Sequence, residues 1–445
     1  MRLALAAASV SLLGACSSGV AASDDDTATG AGLTASGETR RTMGSFFLVE
    51  QPATAADASM MKLMASGPPG GLCFWNPGHV SGAAARPIIK AYSRAAQAAG
   101  SPPLLYSTDY EGGGLSLSPS GKTIAGVQRY VTGMTPLAHP RWLGKADRKD
   151  AALGKEIAHL HGYIMSRELR SIGINYPLGT ISDLADGLFA TRGIDTDSSR
   201  VATLMGQVVE GALSVANMMF VTKHFPGLGL TSGDTHEVVV VAPMYSEATA
   251  QSVLSPFQAA VNTSIRVDAD ARLSVLASHA KFPYWDNEFN TTTSSKILND
   301  VLRSDVGFGG VVVSDAMWMA PYGSMTSAQV QRVYVQSFLA GIDMLMIPHV
   351  RYAGALTYFR AVADNTLGTA EQAALSAVGG MPYATLRGRF LDRVTESRGR
   401  LDAARALVGY AHESMDADGT TPTSTTVTER ARYNEILKQV DARLP

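Results

Sequence analysis

Short apolar runs alternate along the chain with longer stretches whose apolar residues recur at helical spacing. This alternation predicts βα units around a parallel sheet. Eight runs read as strands: Gly44 to Glu50, Gly70 to Trp75, Pro103 to Asp109, Ile172 to Pro177, Met218 to His224, Leu273 to His279, Gly310 to Asp315 and Ile342 to Ile347. Between them, positions such as Leu153, Ile157, Leu160, Ile164 and Leu169 repeat at helical spacing and predict an outer helical layer. Eight strands with intervening helices predict an α/β fold, a (β/α)8 TIM-type barrel built as one domain. Four runs end in Asp109, His224, His279 and Asp315. A lone Asp at such a place more often caps an element, but in a barrel the C-terminal strand ends gather on one face. Four coincident cases therefore predict one cluster of carboxylates and imidazoles.

The flanks read differently. Arg2 precedes the 13 apolar or small residues Leu3 to Ala15, too few for a bilayer core that needs about 20. They have the charged, apolar and small-residue regions of a secretory signal. The sequence Leu13-Gly14-Ala15-Cys16 resembles the bacterial lipobox, which implies cleavage before Cys16, diacylation of its thiol, and an exported protein held at a membrane by its lipid alone. Residues 1–15 are thus expected to be a lipoprotein signal peptide and 16–39, rich in Ser, Gly, Ala, Thr and Asp, a flexible tether. The folded barrel is expected over 40–415. Residues 416–445 read as a polar linker, Thr-rich from Asp416 to Thr428, and a short amphipathic helix from Glu429 to Arg443, with no readable chemistry.

Charge and cysteine content narrow the classes. Lys and Arg number 37 against 39 Asp and Glu, so no basic field exists to hold a polyanion, and nucleic acid is not expected as a partner. With 46% apolar residues the chain is not disordered. Two cysteines, Cys16 and Cys73, make neither a disulfide framework nor a structural zinc site. Cys73 in an apolar strand reads as a small hydrophobe, and Met60, Met61, Met317 and Met319 as core or rim filling. His159 and His161, two apart in a helix, face different ways.

Three stretches carry candidate chemistry. Lys223-His224-Phe225-Pro226-Gly227-Leu228-Gly229 ends a strand in two basic side chains, and the following loop holds Asp234-Thr235-His236. Asp234 and His236 share a face in an extended segment, so the carboxylate can orient an imidazole able to give and take a proton near neutral pH. Gly309 to Met317 is a buried strand delivering Asp315, which can be a nucleophile, a metal ligand or a cap. In Thr108-Asp109-Tyr110-Glu111-Gly112-Gly113 the glycines allow close backbone approach and Asp109 can accept paired hydroxyls.

Taken together and in this order, these motifs resemble bacterial glycoside hydrolase family 3, and within it the single-domain β-N-acetylglucosaminidase branch, from about Gly44 to about Val408. Supporting matches are Val127-Gln128-Arg129, Met134-Thr135-Pro136-Leu137, Ser278-His279, Ser314-Asp315-Ala316 and Ala340-Gly341-Ile342-Asp343-Met344. The resemblance implies that Asp315 is the nucleophile of a retaining reaction and that His236, oriented by Asp234, is the acid/base. It also implies that Asp109, Arg129, Lys223, His224 and Arg192 hold the sugar, and that neither a cofactor nor a metal is needed. The implied substrate is a GlcNAc-containing oligosaccharide or muropeptide, cut from its terminal β-GlcNAc end, and the loop bearing His236 is expected to close on it.

Two departures stand out. Leu228 replaces a second histidine of the usual Lys-His-Phe-Pro-Gly-His-Gly, and Gly114 to Gly126 intervene before Val127. They leave open which aglycone is natural and keep rival readings in play. These are another family 3 β-glycosidase or a phosphorylase, a sugar-binding lipoprotein without turnover, and a barrel metallohydrolase using His224, Asp234, His236 and Asp315.

Overall fold

The computed structural model describes residues 37–51, 56–74, 82–112, 133–186, 189, 192–418 and 422–441. Cys16, Arg129 and the stretch Gly114 to Gly126 lie outside them. In chain order the first elements are α1 (Gly37–Gly44), β1 (Phe47–Glu50), α2 (Ala58–Ser66), β2 (Gly71–Cys73), α3 (Gly82–Ala98) and β3 (Leu105–Ser107). Then come α4 (Arg141–Lys149), α5 (Ala151–Ser171), α6 (Ser198–Leu213), β4 (Phe220–Phe225), α7 (Glu247–Arg266) and β5 (Leu273–Ala277). A hairpin of β6 (Lys281–Phe282) and β7 (Asp286–Asn290) leads through a π-helical segment, Lys296–Asp305, to β8 (Val311–Ser314). The rest is α8 (Ala320–Gly323), α9 (Ser327–Ala340), β9 (Leu345–Ile347), α10 (His349–Ala363), α11 (Thr369–Gly379), α12 (Tyr383–Val408), α13 (Ala411–Asp418) and α14 (Val427–Val440).

The fold is α/β with parallel sheets. One has the order β3-β2-β1-β9 and a second β4-β5-β8, while β6 and β7 pair antiparallel. Single parallel bridges lie at the sheet margins, joining Asp109 to Leu178, Leu178 to Val221, and Val313 to Met344. Strands such as Val311–Ser314 are buried throughout, as expected when both faces are covered. Each buried valine there contributes about 1.5–3 kcal/mol.

Seven of the eight expected strands form, six inside their predicted ranges and β4 running one residue beyond, to Phe225; Ile172 to Pro177 does not form a strand. There Asn175 inserts its side chain beside backbone bonds from the Asn175 and Tyr176 N–H groups to the Tyr106 carbonyl at 3.1 and 3.0 Å. Its Oδ1 accepts from the Tyr106 N–H at 2.7 Å and its Nδ2 donates to the Leu104 carbonyl at 3.1 Å, while Pro177 has no N–H to offer. Pairing resumes only as bridges at Leu178. The tether boundary also shifts, because α1 begins at Gly37. Much of the expected linker is helical as well, with α13 running to Asp418 and a 3-10 turn at Pro422–Thr425.

The helical layer follows from capping and close packing. The Asp150 carboxylate accepts from Ala152 N–H and Leu153 N–H to start α5, and Thr326 and Gln329 cap α9 reciprocally. Gly162 and Gly211 let α5 and α6 touch backbone to backbone. A Cβ at either would sit 2.0 Å from a carbonyl oxygen of the partner helix. At the start of β9 the fully buried Asp343 accepts from Arg303, Arg393 and Arg400 and so pins α12 to the sheet. Burial works to raise its pKa, but the three guanidiniums outweigh burial and hold it below the ordinary carboxylate value.

Candidate active site

The ends of β3, β4, β5 and β8 carry the polar residues singled out above. Lys223, in β4, is 2% exposed and places Nζ 2.5 Å from Asp109 Oδ1 and 2.8 Å from Glu111 Oε1. Glu111, equally buried, accepts from Arg192 through both oxygens, Nη2 to Oε1 at 2.7 Å and Nε to Oε2 at 3.0 Å. Arg192 in turn lies over the Phe189 ring, 4.7 Å from its centroid. Two cations and two carboxylates thus compensate one another with little water.

His224 follows Lys223 and faces a different partner. Its Nδ1 is 2.7 Å from Asp183 Oδ2, which also accepts the His224 N–H at 3.0 Å. The other oxygen of this fully buried carboxylate accepts the Leu228 N–H at 2.5 Å. Leu228 itself is buried, so at the position of the departure the backbone amide makes the polar contact while the side chain joins the core. With Nδ1 engaged, His224 has Nε2 left for a ligand.

Asp315 stands one residue beyond β8. Its Oδ1 accepts from the Ala316 N–H at 2.8 Å. Burial works to raise its pKa, yet the fields of His224 and His279, the Ala316 N–H and the charge of Lys223 outweigh burial and hold it below the ordinary value. It is therefore a carboxylate at neutral pH. His279, two residues past β5, is fully buried between Thr292 Oγ1 at 2.7 Å and the Ala316 carbonyl at 3.0 Å, and burial lowers its pKa. It is a strut that holds the backbone beside Asp315.

The Asp234 and His236 pair lies apart from this buried set. His236 donates its N–H to Asp234 Oδ1 at 2.9 Å and places Nδ1 2.7 Å from the same oxygen, with side chains 42% and 39% exposed. Burial acts to raise the Asp234 pKa, but the His236 hydrogen bonds and charge, together with Arg192, bring it below the ordinary value. The loop carrying the pair is fixed at both ends, by the Leu228 N–H on Asp183 and by Val240 and Ala242 pairing with Lys281 at 2.9 and 2.8 Å.

The described residues named from sequence, joined by Asp183, thus form a buried ionic cluster, an ionised carboxylate and two separate Asp–His pairs. Among the described residues no three His, Cys, Asp or Glu are grouped to hold a metal ion. Glu111 stood in one of the quoted stretches without a role of its own, and Asp183 was not named. The position of Glu111, two beyond Asp109 in an extended stretch, was an available signal. Nothing local marks Asp183, whose role comes from residues 41 and 45 positions later. Chemically, the arrangement offers an ionised carboxylate, an imidazole bonded to a carboxylate, and buried charged hydrogen-bonding groups.

Comparison with known proteins gives a consistent answer. The family described as Glycosyl hydrolase family 3 N terminal domain matches residues 79–377. A β-hexosaminidase of Nitrosomonas eutropha is 30% identical over 254 residues, 56% of this chain and 65% of that protein, so the chain spans somewhat under two thirds of its length. One of Stenotrophomonas maltophilia is 29% identical over 71% of this chain and 89% of that protein. Among solved structures, the glycoside hydrolase family 3 β-N-acetylglucosaminidase from Paenibacillus superposes with a TM-score of 0.64 at 23% identity, covering 83% of this chain and 63% of that one. NagZ from Neisseria gonorrhoeae, in complex with N-trifluoroacetyl-D-glucosamine, gives 0.55 at 21% identity, covering 79% and 98%. At these identities the structures speak to the fold alone.

Proposed function

The chain belongs to glycosyl hydrolase family 3, and from that premise we propose that it is a retaining, exo-acting β-N-acetylglucosaminidase that removes terminal β-GlcNAc from muropeptide or chitin-type fragments. One observation carries the reading: an ionised Asp315 shares the strand-end face with a buried sugar-holding cluster, while a carboxylate-bound histidine stands on an adjoining loop. Asp315 attacks the anomeric carbon as the glycosidic bond breaks, and His236, protonated and bonded through Nδ1 to Asp234, gives the Nε2 proton to the leaving oxygen. The neutral imidazole then takes a proton from water, whose oxygen displaces Asp315 and restores the anomeric configuration. Lys223, Asp109, His224, Arg192 and Arg129 hold the sugar hydroxyls. This use of a histidine keeps the acid functional at the exposed rim, where a carboxylic acid would lose its proton at neutral pH.

The same reading takes the two parallel sheets as one closed (β/α)8 barrel. The bridges at Leu178 and at Val313 with Met344 support closure, since each lies where the two sheets would meet. It also takes the protein as exported and lipid-anchored through Cys16, on the strength of Arg2, the apolar run Leu3 to Ala15 and Leu13-Gly14-Ala15-Cys16. Radiolabelled palmitate should enter the wild-type protein in cells but not a Cys16→Ala variant.

The activity is tested by initial rates of the purified, tether-free protein on an aryl β-N-acetylglucosaminide beside the matching β-glucoside, with the product anomer followed by NMR. Strong preference for the acetamido sugar and a β product support the proposal. An α product removes the retaining mechanism, and turnover that needs phosphate makes the protein a phosphorylase.

A further inference from the structure

A buried chain of hydrogen bonds connects the C-terminal helix to the carboxylates that hold Lys223. Thr426, immediately before α14, is fully buried and donates its hydroxyl to Glu168 Oε1. Glu168, in α5, is also fully buried and accepts the Thr135 N–H at 2.7 Å and the Thr135 hydroxyl at 2.6 Å. The Thr135 carbonyl accepts from the Tyr110 hydroxyl at 2.6 Å. Tyr110 stands between Asp109 and Glu111, the two partners of Lys223 Nζ.

A second branch starts from Tyr433 in α14. Its buried hydroxyl accepts the Ala138 N–H at 3.2 Å and lies 3.0 Å from His161 Nδ1. His161 packs against Gly112, where a Cβ would come within 2.8 Å of both the imidazole Cε1 and the Ala138 carbonyl oxygen, and Gly112 accordingly has φ +89°. Both branches therefore end on the two segments 109–112 and 135–138.

Apolar contacts through Ile436 and Leu437 would suffice if α14 only covered α5. Burying a carboxylate and a phenol instead costs desolvation unless every bond is made, and such networks fix one placement more than they add strength. We infer that α14 is a positioning element for the sugar site, Thr426 and Tyr433 setting the two segments that aim Asp109 and Glu111 at Lys223. Neither residue touches substrate. The inference rests on the reading of Lys223 and Asp109 as sugar-binding groups.

The test compares Thr426→Val, Tyr433→Phe and their combination in the full chain with Arg432→Ala, whose guanidinium pairs with Glu156 on the open side of the same helix. The double variant should raise KM for the aryl β-N-acetylglucosaminide about tenfold with kcat within about twofold, the pattern of lost ground-state binding. Amide exchange should quicken in 109–112 and 135–138. Arg432→Ala should change neither, and Thr426→Ser should restore the wild-type values. A double variant with unchanged KM and unchanged exchange in both segments overturns the inference. Exchange alone decides it if the wild-type protein proves inactive, an outcome that would strike the proposed activity instead.

Discussion

The groups proposed to hold the sugar and the pair proposed to move the proton are built in opposite ways. Lys223 and Glu111 are each 2% exposed and locked in a compensated set with Asp109 and Arg192, whereas Asp234 and His236 are about two-fifths exposed and hydrogen-bonded to each other. A buried charge is tolerable only with its partner in place, so the first group is fixed before any ligand arrives and its members depend on one another. The exposed pair carries little of that dependence. The groups proposed for recognition are thus part of the core, while the pair proposed for proton transfer is hung at its edge and can vary with the loop that bears it.

Four experiments put this contrast to the test. The largest effect belongs to Asp315→Ala, which should lower kcat by about 10⁴-fold or more because it removes the proposed nucleophile. A variant retaining a tenth of the wild-type rate would mean that another residue attacks. His236→Ala should lose about 10²–10⁴ in rate on substrates with poor leaving groups and much less on aryl glycosides with acidic phenols. Equal losses on both would remove the acid role. Its stability should stay within about 0.5 kcal/mol of wild type.

Glu111→Gln should behave in the opposite sense, losing about 3–5 kcal/mol of folding stability because Lys223 and Arg192 are left buried with less negative charge. A denaturation midpoint near that of wild type would show that the cluster is not a compensated unit. The smallest effect is a pH dependence. Burial, aided by the charge of Arg141, lowers the His139 pKa to about 4, and burial, aided by the field of His139, lowers that of His161 to about 3. The unfolded chain binds these protons below about pH 6.5 and the folded one does not, so stability falls as pH drops through that window, by up to about 1.4 kcal/mol per unit for each histidine. Denaturant midpoints between pH 7 and 5 measure the slope, and a flat line would contradict the two burials.

Particular residues show what could be read from sequence. Val311, Val312 and Val313 announced a buried parallel strand, and the Asp315 that follows them stands where an alternating βα pattern puts site residues. Asp234 and His236 were legible as a pair because their contact is local. The fourth strand was not legible, since the same apolar run holds Asn175, whose amide takes over bonds that a backbone would make. Glu111 was quoted without a role and Asp183 escaped altogether because their partners lie far along the chain, and Asp416 to Thr428 looked like a linker because helical turns there are stabilised by what they pack against. The family resemblance supplied roles that composition and spacing left open.

The C-terminal clamp also orders events in time. The Thr426 bond to Glu168 closes 258 residues of chain, and the Tyr433 bond to Ala138 closes 295. Contacts of such separation form late, after the loops between them are ordered. The strands can pair one after another as the chain becomes available, but the Asp109 and Glu111 segments receive their last supports only when α14 has docked. A chain lacking that helix would hold its strands in outline and leave both segments without these bonds.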